Sequence, residues 1–277
     1  MSSIMSKTPE SNVVPQGPVA PKELLSSLGL HTVKHTTSEA TSVERLEQAF
    51  ISSRLPVSQR LANFPRHVRR QDIARFLVKY ELFKLALPAN GSVVECGVFA
   101  GGGLAAWNHF SACTEPYNHT RRVIGFDTFT GFPSVHEQDS QHGVSEHLTV
   151  GAFETHDSIQ DEIAGLMAIH DSNRPLGHLP KVELVAGDAM ETIPKYVERN
   201  PHLLISLLYL DFDLYEPTKA ALTHLLPRVV KGGIVAFDEL NCSEFPGETV
   251  ALLEMMDLSE VRLQRMPLDP YISYFSR

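Results

Sequence analysis

The chain has 277 residues, of which 24 are Lys or Arg and 33 are Asp or Glu, so its formal net charge is −9. This length fits one large α/β domain with an N-terminal extension, and the acidic balance argues against a nucleic-acid partner. No apolar stretch approaches the roughly 18 residues of a membrane span, and the cysteines (Cys96, Cys113 and Cys242) form no C-x-x-C pair, so we expect a cytoplasmic protein without disulfides.

The N-terminal third predicts helices and no strands. Residues 1–40 should be a mobile tail with a short helix over residues 21–30, and residues 41–90 should form a helical cap. Within the cap, residues 41–51 begin with helix-capping residues, and apolar side chains repeat at helical spacing over residues 70–87. We therefore place the start of the main domain at residue 91 and its end at residue 277.

From residue 91 the chain alternates between predicted strands and helices, which is typical of a doubly wound, Rossmann-like parallel α/β sheet. The predicted parallel strands cover residues 92–96, 122–127, 182–186, 205–211 and 233–238. A helix near residues 248–256 precedes two final strands, over residues 261–266 and 271–275. These last two strands predict a hairpin-like end to the sheet.

The first predicted strand runs into a glycine-rich turn that is suited to a ligand. It contains Glu95 and Gly97, followed by Gly101, Gly102 and Gly103. Glycines allow a close approach of the backbone, and the next helix directs free N–H groups at the turn. The spacing is not G-x-G-x-x-G, so a pyrophosphate site is disfavoured. The initial carboxylate suits a ligand with positive charge, such as the amino-acid end of S-adenosylmethionine (SAM), although a turn without a ligand stays open.

Each predicted parallel strand ends at or near an acidic residue. These residues are Glu95, Asp127, Asp188, Asp211 and Asp238, the last followed by Glu239. Ligands of doubly wound sheets bind beyond the carboxyl ends of the strands. One such Asp could simply cap the next helix, but five at the same edge indicate a site.

Four sequence blocks resemble the macrocin O-methyltransferase family. They are Tyr-Glu-Leu-Phe-Lys over residues 80–84, the glycine-rich turn, Gly-Phe-Asp-Thr-Phe-Thr-Gly-Phe-Pro over residues 125–133, and Leu-Asp-Phe-Asp-Leu-Tyr-Glu-Pro-Thr over residues 210–218. The resemblance implies a SAM- and Mg²⁺-dependent enzyme that methylates a sugar hydroxyl in natural-product biosynthesis. It also implies the class I methyltransferase sheet with an antiparallel last strand, and a homo-oligomer, dimeric or larger.

One block departs from the family pattern. Many members have Asp-Asp-Tyr where this chain has Asp238-Glu239-Leu240, a variant that resembles the branch acting on deoxysugars. The acceptor could be free, nucleotide-linked or glycosidic. A catechol-type O-methyltransferase, a non-catalytic SAM-binding protein and a nucleotide-binding oxidoreductase are the competing interpretations.

The resemblance and the strand ends together predict the cofactor site. Asp127 would accept the ribose hydroxyls, Glu95 would lie by the methionine end, and Asp188 would meet the adenine edge. The remaining predicted cofactor residues are Gly97, Phe99, Gly101, Gly102, Thr128 and Ala189. For Asp188 the alternative is a capping box with Glu191, three residues later.

A second group predicts the metal site and the base. Asp211, Asp238 and Glu239 offer the oxygen ligands that Mg²⁺ prefers, and Asp213 ranks behind them. A bound cation would acidify the sugar hydroxyl, and Asp211 would take the proton as the catalytic residue. The polar segment over residues 132–151 should be a loop that closes over the acceptor, together with the helices over residues 41–51 and 70–87.

Overall fold

A computed structural model describes residues 37–140 and 148–277 of the chain. The predicted helix over residues 21–30 lies outside these residues, and so does the middle of the predicted loop over residues 132–151. Within the described part, no helix has both the length and the apolar character needed to cross a bilayer.

The chain divides into two compact units, Met1–Ile73 and Ala74–Arg277. In the described part of the first unit lie helix α1 (Thr37–Ile51), helix α2 (Val57–Ala62) and a 3₁₀ turn (Phe64–Arg66). Helix α2 follows Pro56 directly.

The boundary between the two compact units lies inside helix α3 (Arg70–Ala86). The later part of α3 belongs to the second unit because Val78, Leu82 and Phe83 are buried in the same apolar cluster as Trp107. This packing places the last turns of α3 within the second compact unit.

The second unit alternates strands and helices as predicted. Its elements are β1 (Ser92–Cys96), α4 (Gly102–Thr114), β2 (Val123–Asp127), α5 (Glu137–Ser140), α6 (Ile159–Ser172), β3 (Val182–Ala186), α7 (Ala189–Arg199), β4 (Ile205–Leu210), α8 (Tyr215–His224), β5 (Val229–Phe237), α9 (Gly247–Met255), β6 (Gln264–Arg265) and β7 (Ser273–Ser276). The predicted strand over residues 261–266 is therefore reduced to two residues. It is an edge strand that pairs with β7 alone.

The strands form one seven-stranded sheet in the order β3-β2-β1-β4-β5-β7-β6. Strands β1 to β5 are parallel, and β7 pairs antiparallel with β5. The predicted fold class, including its antiparallel last strand, is confirmed. The direction of winding reverses between β1 and β4, which is where doubly wound sheets place their ligands.

Helices cover both faces of the sheet, so its central strands are buried continuously and do not alternate between buried and exposed residues. Val94, with its neighbours on one face, packs against helices α7, α8 and α9. Val93 and its neighbours on the other face pack against helices α3, α4 and α6. This double burial holds the carboxyl ends of β1, β4 and β5 in fixed register, and the candidate site begins there.

Candidate functional site

The glycine turn after β1 lies directly against the end of β4. Gly97 has a φ of +93°, and a Cβ there would overlap the carbonyl oxygen of Asp211 and lie 2.7 Å from its carbonyl carbon. The Asp211 N–H also donates to the Cys96 carbonyl at 2.7 Å. Gly97 is therefore required by its backbone conformation and by the neighbouring strand, and it joins the two predicted halves of the site.

The remaining glycines of the turn have different surroundings. Gly101 precedes α4 with a φ of +82°, and its Cβ position is filled by Ile163. A Cβ at Gly103 would overlap the Glu95 carboxylate, whereas nothing lies within 4 Å of a Cβ at Gly102. The N-terminus of α4 thus presents open space at Gly102, as a cradle for a ligand requires.

Glu95 is buried beneath this helix terminus, with 2% of its surface exposed. Its Oε2 has no hydrogen-bond partner among the described residues. Burial raises the pKa of Glu95 to about 8, although the charge of Lys79 opposes the shift. A buried carboxylate with an unsatisfied oxygen is consistent with the predicted cationic end of the cofactor.

Asp127 lies at the end of β2 as predicted, but its carboxylate also holds the turn together. Its Oδ2 accepts from the N–H groups of Val98 at 2.7 Å and Phe99 at 2.8 Å, and its Oδ1 accepts from Phe129 N–H at 2.7 Å. A carboxylate has about four lone-pair positions, so one stays available to a ribose hydroxyl. Sequence reasoning missed this role, which depends on contacts across two strands.

An aromatic cluster lines the loops around the turn. Phe99, which is 54% exposed and has a φ of 49°, contacts Phe153 edge-on with ring centroids 6.4 Å apart. The Phe153 ring in turn contacts Phe132 and Phe245. A positive φ costs energy for a residue with a side chain, and such residues concentrate at functional sites. This aromatic cluster is therefore a candidate wall for a ligand.

Three of the predicted cofactor residues, Asp188, Ala189 and Thr128, have structural roles within their own helix or loop. Asp188 caps α7, with Oδ1 accepting from Met190 N–H at 2.9 Å, and Ala189 is buried behind it. Glu191 pairs with Lys195 and so does not complete the capping box. Thr128 donates to the Gly131 carbonyl within its own loop. Their contacts with a cofactor stay predictions.

The second group lies at the ends of β4 and β5. Asp238 is buried, and Arg75 Nη2 lies 2.5 Å from its Oδ2. Tyr209 donates its hydroxyl to the other oxygen of Asp238. Arg75 also approaches Asp269 at 3.5 Å. Helix α3, strand β4 and the loop before β7 thus meet at Asp238.

These carboxylates raise one another's pKa values. Burial, together with Asp238, raises the pKa of Asp211 to about 7 and that of Glu239 to about 8. Burial and Glu239 raise the pKa of Asp213 well above its usual range. For Asp238 burial acts in the same direction, but the cations Arg75 and Lys79 outweigh it and lower its pKa. Asp211, Asp213 and Glu239 therefore resist ionisation, and a bound cation would favour their charged forms.

This arrangement fits a divalent cation in its donor chemistry. Asp211, Asp238 and Glu239 supply carboxylate oxygens, and Glu239 Oε2 is buried without a hydrogen-bond partner in the described residues. The described parts of the chain contain no preformed group of three His, Cys, Asp or Glu side chains with metal-site geometry. Each oxygen of Asp238 already accepts one hydrogen bond, from Arg75 and from Tyr209.

Sequence reasoning missed the cations of α3, because it considered only the apolar side chains that repeat along this helix. Lys79 is 8% exposed, and its Nζ lies 4.0 Å from the ring centroid of Tyr209. Arg75 and Lys79 are four residues apart, and so they share a helix face. Two cations at this spacing beside an apolar stripe were the available signal.

The predicted loop over residues 132–151 contains helix α5, and the buried side chain of Asp139 fixes the first part of the loop. Asp139 is buried, and its carboxylate accepts from Tyr215 N–H at 2.7 Å and from His136 N–H at 2.9 Å. The first part of the loop is thereby joined to the start of α8. Closure over an acceptor stays a prediction.

The residues that form this site lie within a match to a known protein family. Residues 85–254 match the family described as macrocin O-methyltransferase (TylF). A curated relative from Streptomyces olivaceus, 8-demethyl-8-(2,3-dimethoxy-alpha-L-rhamnosyl)-tetracenomycin-C 4'-O-methyltransferase, is 29% identical over 151 residues, which are 54% of this chain and 52% of the relative. The chain thus spans about half the length of that relative.

Solved structures extend the match to most of the chain. The calicheamicin methyltransferase CalS11 is 34% identical with a TM-score of 0.84, over 87% of this chain and 93% of its own. The apo form of CalS11, described as a TDP-rhamnose 3'-O-methyltransferase, is 32% identical with a TM-score of 0.75, over 87% and 95%. The O-methyltransferase NovP, 20% identical with a TM-score of 0.54 over 74% and 80%, shares the fold.

Proposed function

Because this chain belongs to the macrocin O-methyltransferase family, we propose that it transfers a methyl group from SAM to a hydroxyl of a deoxysugar. The observation that supports this best is the joining of two sites by Gly97. The glycine turn with open space at its helix terminus lies on one side, and the carboxylate cluster of Asp211 and Asp238 lies on the other.

The cofactor role of the turn follows from its chemistry. Glu95 would face the cationic amino-acid end of SAM, and the N-terminus of α4 would face its carboxylate end. Asp127 would accept a ribose hydroxyl while it holds the turn through Val98 and Phe99. Asp188 and the backbone of Ala189 would bound the adenine.

The carboxylate cluster would bind Mg²⁺ and the acceptor. Asp211, Asp238 and Glu239 would hold the cation, whose charge acidifies a bound sugar hydroxyl. Asp211 would accept the hydroxyl proton, a contribution of roughly 10²- to 10⁴-fold to the rate. Arg75 would then balance Asp238 and Asp269 from one side, and Lys79 would fix Tyr209 beneath the cluster.

The acceptor class comes from the relatives and from the aromatic cluster. The tetracenomycin enzyme and CalS11 are both described as methyltransferases that act on a rhamnose or a rhamnosyl group. In this chain, Phe99 and Phe153 would offer an apolar wall to the acceptor. We propose a nucleotide-linked 6-deoxyhexose as the first candidate. We also propose that the protein is cytoplasmic and forms a homo-oligomer.

Transfer of the labelled methyl group from SAM tests this function. The acceptors should be TDP-rhamnose, free rhamnose and, as the competing class, a catechol. We expect transfer to the rhamnose series and none to the catechol. Transfer to the catechol alone, or SAM binding without transfer to any rhamnose acceptor, would contradict the proposal.

The metal requirement is tested separately. After exhaustive EDTA treatment, methyl transfer should be lost and should return with Mg²⁺, while SAM affinity measured by calorimetry stays unchanged. The Asp211→Asn variant should lose about 10²- to 10⁴-fold in turnover with SAM affinity retained. Full activity of metal-free enzyme would refute the metal role and leave the carboxylates as a base with its hydrogen-bonded support.

A further inference from the structure

Glu248 is a buried carboxylate that neither predicted site includes. It lies in the first turn of α9, with 0% of its surface exposed. Its Oε1 accepts from the N–H groups of Phe212 at 3.1 Å and Asp213 at 3.4 Å, and its Oε2 accepts from Glu239 N–H at 3.3 Å. One side chain therefore binds the backbone of two separate loops.

These two loops hold the residues of the carboxylate cluster. The loop after β4 contains Asp211 and Asp213, and the loop after β5 contains Asp238 and Glu239. Asp213 has a φ of 63°, a left-handed conformation that costs energy for any residue with a Cβ. The bond from its N–H to Glu248 helps to hold that conformation. The two loops thus share one hydrogen-bond acceptor, the Glu248 carboxylate.

Close packing of two helix starts makes this span possible. A Cβ at Gly247 would overlap the Asp139 carboxylate and lie 2.5 Å from Tyr215 N. The first residues of α9 and α8 therefore approach closely, and the Asp139 carboxylate lies against both of them. Thr249 adds a further contact, since its Oγ1 accepts from Asn241 N–H at 2.9 Å in the loop after β5.

We propose that Glu248 is a positioning residue that sets the distance between Asp211 on one loop and Asp238 with Glu239 on the other. It acts through the backbone of both loops and contacts neither the acceptor nor the methyl donor. The inference rests on the proposed function, because the spacing matters for a cation shared between the loops. Residues that orient metal ligands in this way typically change metal affinity by about 10- to 100-fold when they are replaced.

Binding of Mn²⁺, a paramagnetic substitute for Mg²⁺, provides the test. Free Mn²⁺ is measured by electron paramagnetic resonance in titrations of the full chain. Glu248→Gln preserves size but replaces one acceptor oxygen with a donor, so one loop loses its partner. We expect the Kd for Mn²⁺ to rise about 10- to 100-fold, while the Kd for SAM stays unchanged.

A matched control lies on the same helix. Glu254 is half-exposed, and its carboxylate pairs with Lys219 and accepts from the Tyr215 hydroxyl, both in α8. Glu254→Gln should leave Mn²⁺ and SAM affinities as in the wild type. Amide hydrogen exchange gives a second readout, since Phe212 or Glu239 N–H should exchange faster in Glu248→Gln and not in the control.

The outcomes separate this inference from the function on which it rests. Wild-type protein that binds no Mn²⁺ would overturn the proposed metal site and this inference with it, whereas methyl transfer to the rhamnose acceptors tests the rest of the proposed function separately. Wild-type binding with an unchanged Mn²⁺ affinity in folded Glu248→Gln would overturn the positioning role alone, and so would an equal loss of SAM affinity. If Glu248→Gln does not fold, Glu248→Asp keeps the charge but is one methylene too short to reach both loops, and the same criteria apply.

Discussion

Replacement of Gly97 by alanine tests whether the cofactor turn and the end of β4 are joined as described. The new methyl group would overlap the backbone carbonyl of Asp211, which cannot move aside as a flexible side chain can. Its φ of +93° is also unfavourable for alanine. Both the turn and the loop that contains Asp211 would have to shift.

The expected cost is the sum of two contributions. A positive φ costs a residue with a Cβ about 1–2 kcal/mol, and an overpacked contact costs about 1–3 kcal/mol. The free energy of unfolding should therefore fall by about 2–5 kcal/mol. At about 2–4 °C per kcal/mol for a domain of this size, Tm should fall by about 4–20 °C.

Urea unfolding of Gly97→Ala beside Gly102→Ala measures this effect. Gly102 is the first residue of α4, and its Cβ would have nothing within 4 Å, so its replacement should leave stability unchanged or raise it by up to about 1 kcal/mol. A Gly97→Ala protein as stable as the Gly102→Ala protein would refute the close approach of β1 and β4. A SAM affinity that falls in Gly102→Ala alone would identify that open space as part of the cofactor site.

Three further changes address single carboxylates. Asp127→Ala should weaken SAM binding by about 1.5–3 kcal/mol in calorimetry, and it should also lower stability because three backbone N–H groups lose their acceptor. Asp188→Ala should lose about 1 kcal/mol of stability with the α7 cap, whereas Asp188→Asn keeps the cap; if both lose SAM affinity equally, Asp188 is a ligand as well. Glu95 has a folded pKa of about 8 against an ordinary 4.5, so its ionisation removes stability as pH rises between these values. In urea titrations, the free energy of unfolding of Glu95→Gln should therefore increase relative to that of the wild type from pH 5 to pH 8. A difference in unfolding free energy that does not change with pH would contradict the buried state of Glu95.

Much of the fold follows from local sequence patterns. The central strands are continuous apolar runs that end in acidic residues, and strands 92–96 and 182–186 have the predicted bounds. Burial on both faces of a parallel sheet produces such runs, so the pattern is visible without a structure. The positions of Glu95, Asp127 and Asp211 at one edge follow from the same parallel arrangement.

Tertiary structure alone decided how these residues are paired. Arg75 and Asp238 are 163 residues apart, and their ion pair depends on how α3 lies across the sheet. Asp127 became the acceptor of three turn N–H groups, and Glu248 the bridge between two loops, through the register of neighbouring strands and the contact of two helix starts. Local propensity specifies where an element begins and ends, but hydrogen bonds between distant residues depend on packing to within a fraction of an ångström, which only the assembled core provides.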